Sequence, residues 1–159
     1  MAAVLDVEVI GRSRLAPHGP SLSTIRRLCR LAAASAGVHD GHVAVHFVEE
    51  ERMAELNARH RDRPVATDVL AFPIDGTDGA DGAGHEADRE PGGQGEGPAR
   101  GAVQAPPREL GDVVICPART VDLREAIVHG MLHLVGMDHE TDHGEMLATQ
   151  ARLLAEADR

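Results

Sequence analysis

Apolar and polar positions alternate from Val4 to Ile10, interrupted by Asp6 and Glu8, and this period of two predicts a strand. The period then changes. Leu22, Ile25, Leu28, Cys29 and Ala32 recur at helical spacing, behind a serine cap at Ser21 or Ser23 and ahead of Gly37. Val43, Val45 and Phe47 alternate with Ala44, His46 and Val48, a run apolar enough to be a buried strand. A helix from about Glu50 to Arg59 turns Met53 and Leu56 inward, and Val69–Phe72 and Asp112–Ile115 read as short strands. Ile127, Met131, Leu134 and Val135 mark a buried helix that Gly136 ends. Met146, Leu147, Gln150, Leu153 and Leu154 define an amphipathic last helix, capped by Thr141 or Asp142. This order predicts an α+β fold, a single domain over residues 1–159 with a small mixed β-sheet of about four strands packed with helices.

The pattern vanishes between the third and fourth of these strands. From Asp75 to Gly101 the chain holds seven acids, two arginines and nine of its 17 glycines, with hardly any large apolar side chain. Such a stretch cannot bury enough surface to offset its ordering entropy, so residues 75–101 are expected to be a disordered acidic, Gly-rich insertion within the domain. Its charge also changes how the whole chain is read. Sixteen arginines, no lysine and 26 acids give a formal charge of −10, half of it from this insertion. An acidic body gains little from counterion release on a polyanion unless its arginines cluster, as Arg26, Arg27 and Arg30 could on one helix. Phe47 and Phe72 are the only aromatic residues besides histidine, which argues against gripping single strands by stacking bases on a row of rings. Cys29 and Cys116 stand far apart, giving neither a disulfide framework nor a cysteine zinc ribbon. The strand-like N-terminus and the lack of a long apolar run predict no membrane span, and the cytoplasm is the default compartment.

The informative stretch is His129-Gly130-Met131-Leu132-His133-Leu134-Val135-Gly136-Met137-Asp138-His139. Residues four apart share a helix face, so His129 and His133 can hold one metal ion, and a left-handed turn at Gly136 can bring His139 round to it. Three imidazoles with an open fourth position describe a catalytic zinc site in a zincin-like helix-turn, with one Zn2+ per chain. Scattering ten histidines over this length would produce the three-histidine spacing about 0.04 times by chance. His143 is a possible substitute ligand, read as an exposed first-turn residue. Metzincin-like metalloproteases share the spacing, but they place a general-base glutamate directly after the first histidine, where this chain has Gly130. A protease is therefore the second reading.

The stretch HGMLHLVGMDH resembles the signature of the YbeY family of bacterial zinc-dependent endoribonucleases. Leu56-Asn57, Arg61, Thr67-Asp68-Val69-Leu70-Ala71-Phe72-Pro73 and Leu110-Gly111-Asp112 follow the family's order, with Ala71 and Met137 departing from its usual serine and tyrosine. The resemblance implies that His129, His133 and His139 ligate zinc and that Arg61 is the active-site arginine. It further implies cleavage of single-stranded ribosomal RNA in rRNA maturation, including 3′-end processing of 16S rRNA, and a part in ribosome quality control. Ribosomal small-subunit or assembly proteins are the implied partners, and they open a third reading, a non-catalytic, zinc-stabilised ribosome-assembly module. Arg61 would grip the phosphodiester and stabilise its growing charge. Asp138 is a neighbour that could orient His139, while Asp68 and Asp112 could equally cap or turn the backbone.

Overall fold

The computed structural model describes residues 4–74 and 108–159, so the insertion expected at 75–101 lies outside the described residues. Four strands form one sheet: β1 (Asp6–Ile10), β2 (His42–Phe47), β3 (Val69–Pro73) and β4 (Glu109–Ile115). Their order is β1-β2-β4-β3, with β1, β2 and β4 parallel and β3 antiparallel along β4. Four α-helices complete the described chain: α1 (Leu22–Ser35), α2 (Glu50–Arg61), α3 (Leu123–Leu134) and α4 (Glu145–Ala157). The mixed sheet and the α+β class are as expected.

Side-chain alternation divides the core between the two faces of the sheet. Val113 and Ile115 of β4 join Val43, Val45 and Phe47 of β2 in the larger cluster, with Ile25 and Leu28 of α1, Ile127 and Met131 of α3, and Met146 of α4. Val114 faces the other way and packs with Leu70 of β3, Cys116 and Met53 of α2. The central strands are thus covered on both sides, which explains their nearly continuous apolar runs. Burial pushes the Cys29 thiol up to about 12, as fits a small packing residue.

Local signals place most boundaries. Ser21 caps α1, its hydroxyl accepting the Thr24 N–H at 3.2 Å. β1 starts at Asp6, two residues later than expected, and α2 runs on to Arg61; two further boundaries differ for a visible reason. β4 starts at Glu109, three residues early, and Gly111, at φ 131°, lies against the Phe72 carbonyl of β3 where a Cβ would collide. Helix α4 starts behind Gly144 rather than behind a Thr141 or Asp142 cap. Asp142 still serves the helix, because its carboxylate accepts the N–H groups of Gly144 and Met146, each at 2.8 Å. These bonds, led by that from Gly144, hold the Asp142 carboxyl below the ordinary range.

The arginines of α1 are each tethered to a backbone carbonyl, with Arg27 and Arg30 still exposed. The Asp6 N–H points to the Gly41 carbonyl beside β2, so the carbonyls of Leu5 and Val7 point to the free edge of β1. Arg26 Nε donates to Val7 O at 3.3 Å and Arg30 Nε to Leu5 O at 3.2 Å, while Arg27 Nη1 reaches Ala157 O at 3.2 Å. Two guanidiniums therefore occupy acceptors that would otherwise invite another strand. No helix among the described residues is long and apolar enough to cross a membrane.

His42, on β2, ties the two strands that flank it. Its Nδ1 lies 2.9 Å from Glu109 of β4 and its Nε2 lies 3.2 Å from Glu8 of β1. The hydrogen bond to Glu109 raises its pKa above the ordinary 6.5, against the lowering effect of burial, with Asp6 and Glu8 adding to the rise. A raised folded-state pKa stabilises the fold fully below the unfolded value and loses that contribution as pH climbs through the folded value. Thermal melts should therefore show His42→Gln costing more stability at pH 5.5 than at pH 8, whereas an equal cost at both would remove the bridge from the account.

Candidate metal centre

Helix α3 is aimed by its ends and by the sheet beneath it. Asp122 caps its start, Oδ1 accepting the N–H groups of Arg124 at 2.9 Å and Glu125 at 3.3 Å. Its body is buried from Ala126 through Leu134, except that His129 and His133 are only half-buried. Gly130 faces the sheet. A Cβ there would stand 2.5 Å from Val113 Cγ1 and 2.9 Å from Val69 Cγ2, so this position accepts no side chain without movement. The glutamate that a metzincin-like protease needs directly after its first histidine has no room here.

The helix ends in a Schellman turn. The Gly136 N–H donates to His133 O at 3.1 Å and the Met137 N–H to Leu132 O at 3.0 Å, with Gly136 at φ 101°. The chain reverses and brings His139 back. Ring centroids lie 4.7 Å apart for His129 and His133, and 5.1 Å from His139 to each of them. One ring nitrogen from each of the three lies within 4.8 Å of the others, so they could hold a metal ion.

The donor chemistry fits such an ion. His129 Nδ1 lies 2.8 Å from Gln150 Oε1, an oxygen that can only accept, so this contact is a hydrogen bond in the tautomer with the proton on Nδ1, which leaves Nε2 for an ion. His133 hydrogen-bonds the Met137 backbone, and its Nε2 lies 3.1 Å from His129 Nε2. Burial, followed by the neighbouring His129 and His139, depresses the His133 pKa and favours the neutral ring that a metal ligand requires. Tetrahedral zinc with nitrogen ligands at about 2.0–2.1 Å separates those nitrogens by roughly 3.3 Å, close to this spacing.

The cleft beside these rings measures about 640 Å³, and its walls include Arg61, Thr67, Asp68, Ala71, Met137 and Asp138. Arg61 closes α2, where Asp62 turns the chain at φ 55°, and so shares a cleft with the three histidines. A roomier hollow of about 1170 Å³ between Pro20 and Leu123 contains none of the three rings, and the chemistry favours the smaller cleft. The carboxylates have local duties. Asp68 Oδ1 accepts the N–H of Val69 at 2.9 Å and the Thr67 hydroxyl at 3.2 Å. Asp138 Oδ1 accepts the Glu140 N–H at 2.9 Å, bracing the turn at His139. Asp112 neither caps nor turns the backbone: its Oδ1 pairs with His46 Nε2 at 2.8 Å, beside Val114 and Phe72. His143 is exposed, as expected.

Two buried polar side chains support the cleft in ways the sequence pattern did not disclose. Asn57 Nδ2 donates to Val65 O at 2.9 Å, and the Asn57 backbone carbonyl accepts the Asp62 N–H, tying down the loop that follows Arg61. Gln150 looked like one more core-facing position of an amphipathic helix. A polar residue at such a position was the available signal.

Sheet, helix and returning histidine together define an α+β protein with a three-histidine centre able to hold a metal. Family comparison narrows this. The profile of the family described as Endoribonuclease YbeY matches residues 20–158. The chain is 34% identical over 144 residues to Endoribonuclease YbeY of Nocardia farcinica, covering 81% of this chain and 69% of that protein. The protein of the same name from Salinispora tropica is 37% identical over 143 residues, covering 80% and 82% respectively. A third, from Rubrobacter xylanophilus, is 31% identical over 153 residues, covering 92% and 89%. The chain belongs to the YbeY family.

The close approach at Gly130 is open to measurement. Gly130→Ala should destabilise the protein by about 1–3 kcal/mol in chemical denaturation, through overpacking. The cost should shrink in a Val113→Ala background, because the two sites touch. A gain of about 0.5–1 kcal/mol, as Gly→Ala gives in an open helix, would contradict the packing described.

Proposed function

We propose that this chain is a zinc-dependent, single-strand-specific endoribonuclease of the cytoplasm, acting in rRNA maturation, including the 3′ end of 16S rRNA, and in ribosome quality control. The observation that carries this reading is the convergence of His129, His133 and His139 on the cleft that Arg61 also lines. These three histidines would hold one Zn2+. Bound there, zinc would supply Lewis-acid polarisation of a phosphoryl oxygen and lower the pKa of water toward about 7.

The rest of the work falls to the chain's own residues. Arg61 offers a planar fork that can take two phosphate oxygens and stabilise the negative charge that grows on them. The cleft walls set this one guanidinium against the carboxylates of Asp68, Asp138 and Glu140. Without a divalent cation they would repel a phosphodiester, so metal and substrate bind in support of each other. Ala71 and Met137 line the cleft with no hydroxyl, which leaves orientation of the backbone to Arg61 and Thr67.

Delivery of the substrate is part of the same reading. Arg26, Arg27 and Arg30 each give one N–H to a backbone carbonyl and keep their charge, but the formal charge of −10 over the whole chain leaves little net attraction to draw RNA in. Ribosomal small-subunit or assembly proteins would present the strand. We also read residues 1–159 as one domain, because segment 75–101 joins β3 to β4, which are neighbours in one sheet.

The test compares zinc-loaded protein on single-stranded RNA, duplex RNA and casein. Single-stranded RNA should be cut and casein left whole. Arg61→Ala should lower the cleavage rate by about 10²–10³ with zinc content unchanged, whereas His133→Ala should lose both zinc and cleavage. Equal cutting by wild type and His133→Ala would assign the activity to a contaminant. Zinc binding without cleavage of any substrate would favour a zinc-stabilised assembly module instead.

A further inference from the structure

We infer that Gln150 is the positioning residue of the metal centre, fixing the tautomer and rotation of His129 from a separate helix. The inference rests on the reading that the three histidines hold a metal, and it adds a residue that no ligand motif contains.

Met146, Gln150 and Leu153 are the buried positions of α4, spaced to form one inward stripe. An amide in that stripe is costly unless it is hydrogen-bonded. Gln150, only 7% exposed, spends its carbonyl oxygen on His129 Nδ1 at 2.8 Å. That bond requires the proton on Nδ1, leaving Nε2 bare, and Nε2 is the atom 3.1 Å from His133 Nε2. The bond also limits rotation of the ring about its Cβ–Cγ axis. Helix α4 is itself anchored close to the centre, since Asp142, three residues after His139, holds the N–H groups of Gly144 and Met146. The turn that delivers the third histidine thus continues into the helix that orients the first.

The experiment uses the full chain and zinc as the probe. Gln150→Met keeps the volume and apolar reach but removes the acceptor, while Gln150→Glu keeps an acceptor oxygen. Zinc affinity, measured by competition with a chromophoric chelator, should fall about 10–100-fold in Gln150→Met and stay at or above wild type in Gln150→Glu. In the metal-free wild type, long-range proton–nitrogen NMR should find the His129 proton on Nδ1, and it should remain there in Gln150→Glu. Wild-type zinc affinity in a folded Gln150→Met, or a wild-type His129 protonated on Nε2, would overturn the inference. The tautomer measurement decides the matter if Gln150→Met fails to fold. A wild type that binds no zinc yet shows the Nδ1 proton would sink the metal reading and leave the positioning bond standing.

Discussion

Helix α3 lies directly on β3 and β4 because position 130 carries no side chain, and a Cβ there would come within 2.5 Å of Val113 and 2.9 Å of Val69. That contact fixes both the height and the rotation of the helix. Adjacent helical residues point about 100° apart, so with 130 turned onto the sheet, 129 and 133 must leave along its surface toward the cleft. Steric exclusion at one glycine thereby sets the direction of two imidazoles. It also removes the position from which a protease of similar spacing would present its base.

The third imidazole and the protonation pattern depend on hydrogen bonds made beyond α3. The Schellman turn at Gly136 satisfies the last carbonyls of the helix and reverses the chain in few residues, which keeps His139 within reach. Gln150 and the Met137 backbone take the outer N–H groups of His129 and His133, so the remaining ring nitrogens face one another. Three imidazoles that could hold one ion thus stand in a cleft that the Arg61 guanidinium also lines.

What the sequence discloses follows from the range of the interactions involved. Ser21 and Gly136 mark helix ends through bonds that span only a few residues, and the HxxxHxxxxxH spacing encodes its own convergence through one helical turn and one reversal. The class, the strand order along the chain and the histidine cluster were legible for that reason. The start of β4 was missed because a glycine in a strand lowers the pattern, and its purpose, contact with the Phe72 carbonyl, lies on another strand. The same holds for Asp112, whose partner His46 is 66 residues away, and for Arg26 and Arg30, whose bonds to the free edge of β1 no local pattern announces. Gln150 shows the limit most clearly: helical spacing placed it inward, but only the tertiary structure shows an imidazole opposite it.

The most direct test of the account is X-ray absorption at the zinc edge on the loaded protein. The account predicts one zinc per chain with three imidazole nitrogens and a fourth, exchangeable oxygen donor. A closed shell of four protein donors, or fewer than three imidazoles, would contradict it.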